Sequence, residues 1–327
     1  MNRRFSLVLV LAALLALAAP AAAFTPNDAL NWEQWGFGAV GMGDAWNYNL
    51  GGRSDVKVAV IDTGVAYDIA DFGSTRFDLA NAYDYVNGDS NPYDDEGHGT
   101  FVAATIGQST NNGIGASGIA FNTTILPIKV LDSQGRGYSS WVSQGIRRAV
   151  DAGSDIINLS LGFVSYNYDL QLACEYARDH GVLVVAAAGN SYPYERYPDY
   201  PAWFSSTLVV GAVDPGLTVS SYSQYAWDYA GAGLVAPGDD IVQETASGRT
   251  ESTGTSMATA FVSGIAALAI AEAYDNNKAI PSKGSSSRFT WLKDLLTSTA
   301  LDLGASGPDL FYGYGLVRAE NVMRALQ

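Results

Sequence analysis

Three short stretches carry side chains that together could break an acyl bond. The first is GTSMATAFVSG at 254–264, where Ser256 sits among small residues at the start of an apolar run that reaches about Ala273. A run of that length predicts a buried helix with Ser256 in its first turn. A serine there has an exposed hydroxyl, and its own N–H belongs to the unpaired donors of a helix N-terminus, which favour developing negative charge. Those are the needs of an acyl-transfer nucleophile, and a plain helix cap meets the same description. The second stretch, VKVAVIDTG at 56–64, is a near-continuous apolar run ending in Asp62, the pattern of a buried parallel strand with a carboxylate at its carboxyl end. The third, GHGTFVA at 97–103, puts His98 just before another apolar helical pattern.

In this order IDTG, GHGT and GTSMA resemble the three signature segments of the subtilisin-like serine proteases (subtilases, peptidase family S8). One such tetrapeptide is weak evidence; three in the family's order are specific. The resemblance implies Ser256 as nucleophile, His98 as the base that takes its proton, and Asp62 as the group that holds the imidazole. The chain has only two histidines, and the other, His180, lies where a helical pattern gives way to a strand, a surface position. AAAGN at 186–190 is similar to the segment whose asparagine amide meets the oxyanion, which implies that role for Asn190. GRGYS at 135–139 and NLSLG at 158–162 resemble the two segments that pair with an extended peptide, implying substrate contacts from Gly135, Gly137, Ser160, Leu161 and Gly162, with Ala187 and Gly189 beside them. Phe163 stands where relatives often carry a second glycine and is expected to narrow the cleft. The loop 191–201 should flank the primary specificity pocket, but its mixed composition yields no side-chain preference.

The likeness extends to Ca2+. TNNGIGASG at 110–118 resembles the family's strong calcium loop, which implies the carbonyls of Thr110, Ile114 and Ala116 and the side chain of Asn112 as ligands, joined by Asp28 and Asp71. A second loop, DYVNGDSNPYDDEG at 84–97, is similar to the additional calcium loop of thermitase-like members through Asp84, Asp89 and Asn91, although Asp- and Asn-rich loops are also ordinary turns. Two positions depart from the family pattern: Phe101 and Phe261 replace residues that are generally histidine. Both lie about one turn past a catalytic position, and the expectation is that their rings pack together.

Apolar runs alternate with helical patterns along the chain: strands at 56–62, 124–131, 155–160, 182–188 and 207–213, helices from about 98, at 139–152, at 169–179 and from 256. The alternation predicts an α/β fold with a mostly parallel central sheet and helices on both faces, the three-layer subtilisin-like arrangement. Reacting groups in such sheets gather at the carboxyl ends of strands, where Asp62 and Asn190 fall.

The chain of 327 residues, 48% of them hydrophobic, suffices for one large domain. Residues 1–23 read as a secretory signal peptide, with Arg3 and Arg4, a short apolar stretch and Ala21-Ala22-Ala23 before Phe24. On this reading the peptidase domain is expected to occupy 24–327 with no separate pro-domain evident, and the product is expected to be a secreted monomer, extracellular or periplasmic. A net charge of −15 argues against nucleic acid and anionic membranes as partners, and polypeptide substrates are what the resemblance implies. The single Cys174, in LACEYA, reads as core. A catalytically inactive binding protein on the same fold is the rival reading, and GHGT excludes a glutamate-based serine-carboxyl peptidase.

Overall fold

The computed structural model describes residues 22–327, so the signal-peptide reading lies almost wholly outside the described residues. Two short helices, α1 (Trp35–Val40) and α2 (Met42–Trp46), precede the first strand, β1 (Lys57–Asp62). Short strands β2 (Arg76–Phe77) and β3 (Tyr83–Asp84) follow, then α3 (His98–Gly107), β4 (Thr124–Lys129), α4 (Ser139–Asp151), β5 (Ile156–Leu159), α5 (Tyr168–Asp179), β6 (Leu183–Ala187) and β7 (Leu208–Val213). A small hairpin, β8 (Trp227–Asp228) with β9 (Gly231–Ala232), leads to β10 (Leu234–Pro237), and a second hairpin pairs β11 (Ile241–Thr245) with β12 (Gly248–Ser252). The chain ends with α6 (Thr255–Asp275), α7 (Ser286–Ser298) and α8 (Ala319–Ala325).

Eight strands form the central sheet in the order β10-β7-β6-β5-β1-β4-β2, with β3 also on β4, and the pairs run parallel. Alternation of side chains along a strand divides β1 between two cores. Val58 and Val60 face the layer of α3 and α6, while Ala59 and Ile61 face the layer of α4 and α5. The result is the expected three-layer sandwich. From β1 the chain passes to β4 on one side and then to β5 on the other, so the strand order reverses at β1, and a crevice opens there at the carboxyl ends.

Helix α6 is apolar all round because it has no solvent face: every residue from Thr255 to Ala273 is buried. It is long and apolar enough to cross a membrane by composition, but its full burial marks it as the core helix of this domain. Phe101 and Phe261 both enter this core without forming an aromatic pair. Phe261 stacks edge-on to Phe37 of α1 at 5.8 Å, and Gly36 makes room for it, since a Cβ there would lie 2.6 Å from its ring. The expected Phe101–Phe261 contact is therefore corrected: α1, absent from the sequence reading, covers that face of α6.

Candidate active site

Asp62 is the last residue of β1 and is fully buried. Its Oδ1 accepts the Thr63 N–H at 2.7 Å and meets His98 Nδ1 at 2.7 Å. The imidazole reaches it because Gly99 lets the first turn of α3 lie on the end of β1; a Cβ on Gly99 would sit 2.2 Å from the Gly64 carbonyl oxygen. That turn is fixed by Asp94, whose carboxylate accepts from the N–H groups of Glu96, Gly97 and Thr100 and from the Thr100 hydroxyl. Burial on its own would lower the basicity of His98, but the charge of Asp62, the hydrogen bond to it, and the nearby Glu96 and Asp94 prevail and raise its pKa to about 8. Nε2, the other ring nitrogen, has no hydrogen-bond partner among the described residues and belongs to the lining of the cleft.

Ser256 is the second residue of α6 and is nearly buried. Its hydroxyl donates to the Ser160 carbonyl at 3.1 Å, and no hydrogen bond joins it to His98. Ser160 Oγ in turn donates to the Ser256 carbonyl at 2.9 Å, tying the end of β5 to the start of α6. The Ser256 N–H meets no acceptor among the described residues.

Asn190 follows β6 through Gly189, whose φ of +112° makes the turn. Thr255 donates to Asn190 Oδ1 from both its N–H and its hydroxyl, each at 2.9 Å. With Oδ1 so held, Nδ2 is left beside Gly254 without an acceptor among the described residues. Two unengaged donors, Ser256 N–H and Asn190 Nδ2–H, thus flank the nucleophile candidate. Thr255 was not singled out from sequence; its place directly before Ser256 was the only available signal.

A cleft of about 400 Å3 runs past His98 and is lined by Gly135, Gly137, Ser160, Leu161, Gly162 and Phe163, with Thr63, Glu96, Leu131 and Arg136. Phe163 is zipped to Tyr200 by reciprocal main-chain hydrogen bonds of 2.7 and 2.9 Å. Ala187 ends β6 and Gly189 lies just beyond it, on the other side of the Ser160–Gly162 edge.

The two calcium loops differ. Asp28 and Asp71, distant in sequence and both buried, converge on loop 110–118. Asp28 accepts from the N–H groups of Asn111, Asn112 and Gly113 and from the Ser117 hydroxyl, and Asp71 from Asn112 Nδ2 and the Ala116 N–H. Burial, reinforced by the charges of Asp28 and Glu244, pushes the Asp71 carboxyl up to about 6, so this pocket holds negative charge at a cost. Neither carboxylate has a Lys or Arg partner, and the carbonyls of Thr110, Ile114 and Ala116 accept no hydrogen bond among the described residues. No three His, Cys, Asp or Glu side chains cluster as metal ligands among the described residues, so a cation here depends on those carbonyls. The donor set fits a hard cation that prefers oxygen. The second loop closes on itself instead. Asp84 accepts from Val86, Asn87 and the Asn87 amide, Asp89 from Asn91, and Asn91 Oδ1 from the Tyr67 hydroxyl.

Cys174 is wholly buried, and burial pushes its thiol pKa up, which leaves it inert. His180 is exposed at the end of α5, its Nδ1 on the Tyr176 carbonyl.

The subtilase family model matches residues 53–315. Subtilisin BL of Lederbergia lenta is 39% identical over 294 residues, which cover 89% of this chain and 98% of that protein. Thermitase of Thermoactinomyces vulgaris is 37% identical over 247 residues, covering 75% of this chain and 85% of thermitase. Halolysin of Haloferax mediterranei is 38% identical over 308 residues, 92% of this chain but only 55% of halolysin, so the chain spans about half of that relative's length.

Proposed function

Because the chain belongs to the subtilase family of serine-type endopeptidases, we propose that it cleaves peptide bonds through an acyl-enzyme on Ser256, with His98 as general base and Asp62 as its orienting partner. The observation that carries this reading is the 2.7 Å contact between Asp62 Oδ1 and His98 Nδ1, which leaves Nε2 free at the cleft. In the resting arrangement Ser256 points at the Ser160 carbonyl. A rotation about its Cα–Cβ bond to another staggered well turns Oγ toward Nε2. The Ser256 proton then passes to Nε2 as Oγ bonds to the substrate carbonyl carbon. The carbonyl oxygen takes the negative charge and is met by Ser256 N–H and Asn190 Nδ2–H. Collapse expels the amine, which carries off the proton from His98, and water repeats the sequence on the ester. The peptide lies extended along Gly135–Gly137 and Ser160–Gly162.

The protein is secreted in this reading, with residues 1–23 removed on export. One Ca2+ is held by Asp28, Asp71, Asn112 and the carbonyls of Thr110, Ile114 and Ala116, where it supplies charge neutralisation and fastens the N-terminal segment to the body. The self-contained turn at Asp84, Asp89 and Asn91 gives no comparable support for a second ion. The test is treatment with a fluorophosphonate followed by mass spectrometry. A single adduct on Ser256, together with casein hydrolysis that Ser256→Ala abolishes, is the expected result; an unlabelled, inert protein rejects the proposal.

A further inference from the structure

Ser160 and Ser256 are hydrogen-bonded to each other, and the Gly189 N–H donates to the Thr255 hydroxyl at 3.2 Å, so the 160–162 edge and the 187–189 edge both lie beside the nucleophile candidate. Each edge carries a glycine, Gly162 and Gly189. Between them stands Asp199. A Cβ on Gly162 would fall 2.8 Å from Asp199 Cβ and 3.1 Å from its Oδ2, and one on Gly189 would fall 3.0 Å from the same oxygen and 2.1 Å from Gln224 Oε1, so the two glycines make room for Asp199 and Gln224. The backbone of Asp199 is fastened in place, its N–H donating to the Ala188 carbonyl at 3.0 Å.

This carboxylate is poorly served by the protein. The amide of Gln224 approaches Oδ1 at 3.4 Å while making a much shorter bond to the Tyr197 carbonyl, and Oδ2 has no donor among the described residues. No Lys or Arg among the described residues pairs with it, although Arg196 is three residues away in sequence. Burial pushes its carboxyl pKa up; the Gln224 hydrogen bond opposes this, and the Glu195 charge adds a smaller push in the same direction as burial. A half-buried carboxylate without a counter-ion, packed against two glycines beside the nucleophile candidate, is complementary to a cation supplied from outside.

Building on the proposed peptidase reading, we propose that Asp199 is a specificity-determining residue that selects Lys or Arg immediately before the cleaved bond. The ammonium or guanidinium enters between Gly162 and Gly189 and takes Asp199 Oδ2 as its acceptor. The net charge of −15 on the chain favours the approach of basic segments to the same cleft.

The test compares tetrapeptide p-nitroanilides that differ only in the last residue: Lys, Arg, Phe, Leu and Glu. The expected result is kcat/KM at least about tenfold higher for Lys and Arg than for Phe, with Asp199→Asn lowering the Lys-to-Phe ratio on the order of a hundredfold. Asp199→Lys should shift the preference to Glu. A wild-type protein that favours Phe or Leu over Lys, or a Lys-to-Phe ratio unmoved by Asp199→Asn, overturns the assignment. Fluorophosphonate labelling of Ser256 separates the two levels: a labelled enzyme that prefers Phe refutes only the role of Asp199, whereas failure to label refutes the peptidase reading beneath it.

Discussion

If His98 is the base of the proposed reaction, its protonation acts on activity and stability in opposite senses. Its pKa is raised from 6.5 to about 8, so the contribution of the charged imidazole beside Asp62 is complete below pH 6.5 and disappears as pH rises through 8. The general base is the neutral form, so kcat/KM should climb through the same window and level off above it; a pH-rate profile that is flat from 6 to 9 contradicts His98 as the base. A second residue-scale prediction concerns Thr255, which holds Asn190 Oδ1 by two hydrogen bonds. Thr255→Val removes the hydroxyl donor and should lower kcat by about tenfold with KM little changed, because a misaimed amide is felt in the transition state. Loss of the amide itself in Asn190→Leu should cost on the order of 10²–10³, the loss known for the corresponding donor in subtilisin. Asp62, His98, Ser256 and Asn190 stood out as candidates in the sequence because each sits in a short segment of fixed pattern. Thr255 and Asp199 did not, because each matters through a neighbour more than sixty or about ten residues away that only folding brings near.

At the scale of elements, α6 is the member on which the site depends. Leu268, near its middle, is completely buried, and Leu268→Ala should lower stability by about 2–5 kcal/mol, measured as a shift in the urea midpoint at unchanged m value. The alternating strands and helices were legible because two-sided burial leaves continuous apolar runs: β1, β4, β5, β6 and β7 lie within two residues of their expected limits. What escaped was short or two-faced. Helices α1 and α2 span six and five residues in a Gly- and Trp-rich stretch that shows no clear period, and the β11–β12 hairpin is solvent-facing on one strand. The mispairing of Phe101 with Phe261 follows directly, since a reading that lacks α1 cannot supply Phe37.

At the scale of the molecule, two long-range ties close the fold. Arg288 of α7, almost fully buried, meets Asp155 Oδ1 at 2.8 Å, and Lys283 meets Oδ2 at 2.9 Å, which binds the C-terminal helices to the lip of β5. The other tie is the cluster of Asp28, Asp71 and loop 110–118. If a cation completes it, a chelator should lower the melting temperature and calcium should restore it, by RT ln(1 + [L]/Kd) and hence by about 2.7 kcal/mol at a hundredfold excess over Kd. An unchanged melting curve in chelator excludes the site as a structural element.

The late position of α6 along the chain also bears on when proteolysis can start. The strand with Asp62 and the helix with His98 precede it in the chain, and Ser256, the nucleophile of the proposed reaction, comes only with this 21-residue helix, which packs beside α3 and is followed by α7 and α8. A chain that stops before α6 lacks Ser256 and with it the nucleophile of the proposed reaction.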